Sequence, residues 1–449
     1  MARLTAVFVA LVRRFLPDPF VYAALLTFVA LLGALLAGPA SGATVPASWP
    51  EACLVAWFAG AFKILEFAMQ MALMLVAGHA LAEAPVVHRG LEALASRARN
   101  PQAALAVTVL VSLFACWLNW GFGLVVAALL AREMARNVAG LDFALVVAAA
   151  YSGFSVWASG LSSSIALTSA THGHALNFIE KQTGHVAPLS STLFAPFNLV
   201  PVLVCAVALP LIFFLQKPAA EAVSAQEALK APDVIEAVPA APEGLAGTLE
   251  KLPLTTALAL VVFAYLGVRL ARGQLSPDLN TVIALFLALG MLLQPRALAY
   301  VRAWNKAAKS VGPLLLQYPL YGGIMGLISA SSLVERLAHA TAAVSTRHSF
   351  ALLVFLSSNV VSLFVPSGGG HWAVQGPIVL PAAAQLGVSP AATAMAVAMG
   401  EQTANMIQPF WALPILAIAG LGVRDVMGYC VLTFLVTLSV FGLSLVIFT

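Results

Sequence analysis

The sequence predicts an all-α polytopic membrane protein, an inverted-topology repeat with two re-entrant hairpins, two broken helices and about nine full spans. Three observations predict it: an apolar composition, an order of elements that occurs twice, and a one-sided distribution of basic residues. Of the 449 residues, 61% are hydrophobic and 9% charged, with a mean hydropathy of +0.96. An ordinary soluble domain carries about a quarter charged residues, so that class is excluded. The net charge is +4, and the basic residues sit in short loops between apolar runs. They speak to membrane orientation and not to nucleic acid. Cys53, Cys116, Cys205 and Cys430 stand singly in apolar segments, without metal-ligand or redox spacing.

Arg13-Arg14 and the apolar run Pro19 to Ala37 resemble a signal peptide, but the run is long enough to span, and further spans follow. It is taken as an uncleaved first helix. Trp49 to Lys63, partly polar and tryptophan-bearing, reads as interfacial, and Leu65 to Ala82 as the second span. A hairpin follows over 101–131, its arms flanking the tip Asn119-Trp120-Gly121-Phe122-Gly123. Residues 142–180 are too long for one span and are interrupted at Ser159-Gly160-Leu161-Ser162-Ser163-Ser164, a broken helix. Thr192 to Gln216 closes the first repeat, 1–216.

The stretch 217–252, rich in Ala, Pro and Glu, cannot build a core and reads as a solvated cytoplasmic linker. A connecting span (253–271) leads to the second repeat, 279–449. Its elements are spans at Leu279 to Leu293 and Val311 to Leu333, a hairpin (349–387), a broken helix (390–421) and a last span, Met427 to Phe448. The second interruption is expected near Gly400-Glu401-Gln402-Thr403. With the N-terminus inside, only Lys63, Lys181, Arg269, Arg272, Arg336 and Arg347 of the 22 Lys and Arg residues fall outside. This is the positive-inside bias, and it makes the two hairpins enter from opposite sides.

An inverted repeat with discontinuous elements in each half is the architecture of secondary transporters, whose sites lie near the midplane. Irregular backbone at that depth is tolerated where it is packed in protein or lines a watered cavity. The polar tip Val365 to Pro377 is therefore expected to form half of a substrate site. Ser367, Gly368, Gly369 and Gly370 would offer backbone N–H groups to an anion, close helix packing being the alternative. His371 would donate to a carboxylate, carry a coupling proton, or be a neutral histidine bonded within the protein. Glu401, an acid within a span, would be a proton carrier, a cation ligand or a cap. Gln402, Asn405 and Gln408 extend a polar face from it, suited to a cavity wall or to helix-to-helix bonding.

In the first half, Asn119, Gly121 and Gly123 at the tip and Ser162, Ser163 and Ser164 at the break hold the corresponding positions. Trp120 and Trp372 would close over an aliphatic tail or pack the hairpins. His79 reads as structural, and His172 and His174 as lying in a wet region beyond the break, with no acidic or thiol partner nearby in sequence. No firm metal site is read. The coupling ion is H⁺ or Na⁺, with Glu401, His371 and Asn119 as candidates and the hairpin tips as the place for sodium. No other cofactor is expected.

Five strings carry a resemblance over nearly the whole chain: LPDP (16–19), FAMQMALMLVAGHALA (67–82), NWGFGLVVAALLARE (119–133), FVPSGGGHWAVQGPIVLPAA (364–383) and GEQTANMIQPFWALPILAIAGLGVRDVMGYC (400–430). They resemble the bacterial short-chain fatty acid transporter family, of the type associated with acetoacetate and butyrate uptake. The chain departs from it at the first break, with Ser162-Ser163-Ser164 and His172-Gly173-His174. More distantly the plan is similar to the ion-transporter superfamily of carboxylate symporters. The resemblance implies ion-coupled uptake of a short-chain carboxylate across the bacterial inner membrane by a multi-pass protein, whose cytoplasmic N-terminus follows from the basic-residue bias, and the distant superfamily implies a homodimer. Another small carboxylate or an amino acid is the alternative substrate. A channel lacks support from two opposed hairpins, and an intramembrane enzyme would need a nucleophile motif or HExxH, neither of which is found.

Overall fold

The computed structural model describes residues 7–11, 14, 17–41, 48–82, 84–174, 176–216, 245, 248, 250, 252–275, 279–294, 296–309 and 311–449. The 217–252 linker falls almost wholly outside them. In chain order the first helices are α1 (Pro19–Ala37), α2 (Trp49–Lys63), α3 (Leu65–Ala82), α4 (Pro85–Ala95), α5 (Pro101–Leu118), α6 (Trp120–Asn137) and α7 (Phe143–Ser152). A 3-10 segment, Gly153–Ser159, leads to α8 (Ser164–Ala170), α9 (Phe178–Thr183) and α10 (Pro196–Phe214). Then follow α11 (Leu254–Ala271), α12 (Leu279–Leu293), α13 (Ala297–Ala308), α14 (Gly312–Ala330) and α15 (Leu333–Ala343). The last five are α16 (Phe350–Ser362), α17 (Gly368–Leu386), α18 (Pro390–Ala404), α19 (Ala412–Ala419) and α20 (Val423–Phe448).

Among the described residues the fold is all-helical, with one isolated bridge between Pro39 and Ser331. Seven helices there are long and apolar enough to cross a membrane. Local chemistry sets where they begin. Asn100 caps the Ala103 N–H ahead of Pro101, and Ser389 caps the Ala392 N–H ahead of Pro390. In each case a side-chain oxygen satisfies an orphan amide, and proline fills a position whose N–H has no helical partner.

The helices form two groups, which meet where α3, α12 and α14 touch α6 and α19. The outer group is α1 to α3 with α11 to α14; the inner group is α5 to α10 with α16 to α20. Within the inner group the halves cross. The second arm of the first hairpin, α6, packs on α19, while the second arm of the other hairpin, α17, packs on α8 and α9. The 3-10 segment packs on α18, so the two broken helices meet. Burial marks the centre of the molecule: the window from α7 through α8 is 94% buried and that of α11 only 6%. An apolar cavity of about 270 Å³ lies where α1, α14 and α15 face α16, lined by Val29, Ile328, Leu333, Leu337, Val360 and Phe364.

Three expectations are corrected. The stretch Trp49 to Lys63, read as interfacial, is helix α2, which packs along α14 and forms with α3 one apolar run of membrane-crossing length, Trp49–Leu81. Its contact is made by glycines, since a Cβ on Gly60 would lie 2.8 Å from the Gly326 Cα. The glycine-rich hairpin tips are not irregular loops. Helix α6 starts directly at Trp120 and α17 at Gly368, which leaves short turns at Asn119 and at 363–367. Glycine costs a helix roughly 1 kcal/mol per residue, a deficit that tertiary packing readily overrides. The second break falls at 405–411 and not at 400–403, because backbone hydrogen bonds continue through Glu401 to Asn405 and the ladder stops before Pro409. The span read at Val311 to Leu333 is α14, Gly312–Ala330, and α15 begins at its last residue.

Candidate functional site

The two breaks and the two hairpin turns converge on one aromatic cluster. Trp120 comes from the first turn of α6, Trp157 from the 3-10 segment and Trp411 from the second break. Their rings lie 4.9 Å (Trp120 to Trp411), 6.3 Å (Trp157 to Trp411) and 6.5 Å (Trp120 to Trp157) apart. Phe154 and Phe410 flank Trp411 at 5.5 and 5.2 Å, and Tyr318 and Tyr321 of α14 pack on Phe410 at 4.7 and 4.9 Å. The fourth element joins through a hydrogen bond: Trp411 Nε1 donates to the Pro366 carbonyl at 3.0 Å, in the turn of the second hairpin. Trp157 and Trp411 were not among the site residues read from sequence. Their signal was a tryptophan inside each interruption, FSVWASG and IQPFWALP.

Polar side chains fasten this junction. Gln402 accepts from the Ser159 N–H at 3.0 Å and donates to Ser159 Oγ at 2.9 Å. The Ser159 carbonyl accepts from Asn198 Nδ2 at 3.0 Å. Ser162 Oγ accepts from the Trp120 N–H at 3.0 Å, linking the first break to the first tip. Asn119 Oδ1 caps α6 by accepting from the Gly121 and Phe122 N–H groups, each at 3.0 Å. Ser163 caps α8, and a Cβ on Gly368 would lie 3.1 Å from Ser164 Oγ. Gly121 and Gly123 are buried where a Cβ would strike Met74 and Cys116 respectively. They allow close packing of the hairpin. Gly369 is different, for a Cβ there would meet only Leu176, at 3.9 Å.

Some buried groups at the junction have one end engaged and one end free. Asn405 Oδ1 accepts from Trp157 Nε1 at 2.9 Å and Gln408 Oε1 from the Phe410 N–H at 3.0 Å. The Asn405 Nδ2 and Gln408 Nε2 amide groups have no partner, although both residues are fully buried. Ser367 is the N-cap of α17, yet its hydroxyl makes no cap bond to the first turn. Unengaged donors of this kind are costly in a water-poor interior.

His371 and Glu401 come together, as neither hairpin nor broken helix alone would require. His371 Nε2 is 2.6 Å from Gln375 Oε1, and Nδ1 is 3.9 Å from Glu401 Oε2. Both residues are wholly buried, and neither carboxylate oxygen has a hydrogen-bond partner. Gln375 is held in turn by Ser358 and Ser357 of α16. Gln375 had not been read as part of the site; its place four residues after His371 was the available signal.

Trp372 is not at the aromatic junction. It is buried, its Nε1 donates to the Leu176 carbonyl at 2.9 Å, and its ring packs on Phe178, so it ties α17 to the segment before α9. His172, exposed, pairs with Glu180, the acidic partner that the sequence had not revealed, and the Gly173 N–H donates to the same carboxylate at 2.8 Å. Among the described residues, no three or more His, Cys, Asp or Glu side chains form a group able to hold a metal ion.

An all-helical chain with several membrane-length helices defines a multi-pass membrane protein. Residues 1–448 match the model of the short chain fatty acid transporter family, and the chain belongs to that family. Two relatives are provisionally named short-chain fatty acid transporters. The one from Haemophilus influenzae is 37% identical, covering 99% of each chain, and the one from Escherichia coli K12 is 38% identical, covering 100% of each. The family is one of transporters, not of enzymes. Among solved structures, the YdaH transporter of Alcanivorax borkumensis, described as having an unusual topology, gives a TM-score of 0.43 at 17% identity, covering 96% of this chain and 98% of its own. MtrF of Neisseria gonorrhoeae, described as illuminating a class of antimetabolite efflux pumps, gives 0.39 at 15% identity, with coverages of 99% and 97%.

Proposed function

We propose that this protein is a secondary active transporter that takes up short-chain fatty acids such as acetoacetate or butyrate across the bacterial cytoplasmic membrane, coupled to an ion, by alternating access. Its N-terminus is cytoplasmic and its halves, 1–216 and 279–449, are inverted repeats whose hairpins are re-entrant from opposite sides. The observation that carries the proposal is the pair of buried, unpartnered amide groups on Asn405 and Gln408 beside the indoles of Trp157 and Trp411.

A carboxylate entering a water-poor interior loses hydration that only oriented donors can replace. Asn405 Nδ2 and Gln408 Nε2 supply two, and the uncapped first turn of α17 supplies backbone N–H groups at the positive end of a helix dipole. The three indoles suit a short aliphatic chain. Helices α16 to α19, the 405–411 break and the 3-10 segment carry no Lys or Arg. Neutral donors are matched to a single negative charge, which favours a monocarboxylate over a dianion. The apolar cavity between the outer helices and α16 leaves that boundary loosely packed, as suits a surface along which the inner group moves.

The test is counterflow of labelled butyrate and acetoacetate in proteoliposomes, corrected for protein-free liposomes because the neutral acids permeate lipid. Saturable exchange competed by unlabelled substrate is expected. Absence of saturable exchange for every short-chain monocarboxylate overturns the proposal, as does flux that is purely conductive.

A further inference from the structure

We infer that His371 and Glu401 together hold one exchangeable proton, and that this pair is where substrate movement is coupled to proton movement. The inference rests on the transport function proposed above and gives its coupling ion an identity and an address.

The hydrogen bonding around His371 sets the argument. Gln375 Oε1 accepts from Ser358 Oγ at 2.9 Å, and Gln375 Nε2 donates to Ser357 Oγ at 3.1 Å. The amide oxygen is thereby turned toward His371 Nε2, 2.6 Å away, and that nitrogen carries a hydrogen. In a neutral imidazole Nδ1 then holds a lone pair, and Nδ1 is the atom that faces Glu401 Oε2 at 3.9 Å. Both carboxylate oxygens and Nδ1 lack any hydrogen-bond partner, and both residues are fully buried. A bare carboxylate in such a place is expensive. One proton resolves the imbalance: placed on Oε2 it is donated to Nδ1 after a small closure of the gap, and transferred to Nδ1 it leaves imidazolium beside carboxylate. Both forms have the same total charge. Removing that proton leaves one uncompensated negative charge in the core.

No other ionisable group competes at this place. Helices α16 and α8 and the 3-10 segment, all packed against the pair's helices, carry no titratable residue. Helix α15 carries Glu335, bonded to Ser41, Arg336, bonded to the Ala37 carbonyl, and the exposed His339. Helix α9 carries Glu180, paired with His172, and Lys181, over the Phe178 ring. Helix α20 carries Arg424, Asp425, Tyr429, bonded to Asp142, and Cys430, bonded to Val426. From α14, whose Met325 approaches Gly370, come Tyr318 and Tyr321, packed on Phe410.

The pair is also wired to the substrate donors. Asn405, which offers the free amide, lies one helical turn after Glu401, and its backbone N–H donates to the Glu401 carbonyl at 3.1 Å. A carboxylate arriving while the pair is deprotonated places two anions in one water-poor bundle; with the pair protonated there is one. Substrate binding therefore draws a proton in.

The experiment uses the full-length purified protein. In detergent, with weak buffer and a pH indicator, at an alkaline pH where the substrate-free pair has released its proton, adding butyrate is expected to produce proton uptake approaching one per bound substrate, and uptake is expected to fade as the pH is lowered and the empty pair already holds the proton. In proteoliposomes, an inward proton gradient of about one pH unit supports up to about tenfold protein-dependent accumulation under 1:1 coupling. In Glu401→Gln the ratio of driven accumulation to counterflow exchange is expected to fall to near that without a gradient, and the butyrate-induced proton uptake to vanish. The wild-type proton measurement stands whether or not the variant folds. Substrate binding without proton uptake at every pH, alkaline values included, or accumulation driven by sodium alone, overturns the inference. So does Glu401→Gln that still accumulates under the proton gradient. Failure of wild-type counterflow is a separate result and removes the transport function instead.

Discussion

The side chain of Gln402 grips Ser159 twice, through the serine N–H at 3.0 Å and its hydroxyl at 2.9 Å, and so joins the last turn of α18 to the first interruption, 243 residues away in sequence. Both residues are fully buried, so neither half of the grip has water to replace it. Gln402→Ala would leave two Ser159 groups unsatisfied. A loss of about 1–3 kcal/mol is expected, since an orphaned buried donor or acceptor carries its own desolvation cost. The check is the thermal midpoint in detergent, which should fall relative to a surface control such as Gln274→Ala.

Asn405 and Gln408 allow a sharper test, because each has one end committed and one end free. Asn405→Asp keeps the acceptor for Trp157 Nε1 and Gln408→Glu keeps the acceptor for the Phe410 N–H, while both lose the free donor. Each is expected to raise the half-saturating butyrate concentration by about 10- to 100-fold, the equivalent of a charge-assisted hydrogen bond of roughly 1.5–3 kcal/mol. Unchanged saturation in both would remove these amides from the site.

Gly369 sits at the start of α17 with room for a side chain, only Leu176 lying within reach of a new Cβ at 3.9 Å. Gly369→Leu should therefore insert and fold normally while filling the space above the hairpin turn and stopping uptake. Equal yield and thermal midpoint, with counterflow near the protein-free level, is the expected outcome.

Gly60 serves packing and no chemistry. A side chain there meets the backbone of Gly322 and Gly326, which cannot move aside as a flexible side chain would. Gly60→Val is expected to separate α2 from α14 at a cost of about 1–3 kcal/mol, the usual range for overpacking. It should lower the thermal midpoint without changing the half-saturating concentration of whatever protein remains folded.

Apolar run lengths, the two interruptions and the basic loops were enough to establish a helical, multi-pass chain, because bilayer thickness imposes a length that hydropathy records directly. Residue type alone also singled out Glu401 and His371: ionisable groups inside apolar helices are rare enough to be conspicuous. Their meeting was a different matter. It depends on α17 folding back across α18, and on Gln375, Ser357 and Ser358 turning the imidazole, none of which has a periodic signature. The convergence of Trp120, Trp157 and Trp411 from three distant segments, and the identity of the amide ends left free on Asn405 and Gln408, were likewise decided only by tertiary packing. So was the fate of the glycines, where the same residue type serves close helix contact at Gly60 and Gly123 and open space at Gly369. A sequence records what each residue can do locally, whereas which donor remains unsatisfied depends on which partners the folded chain brings within about 3 Å.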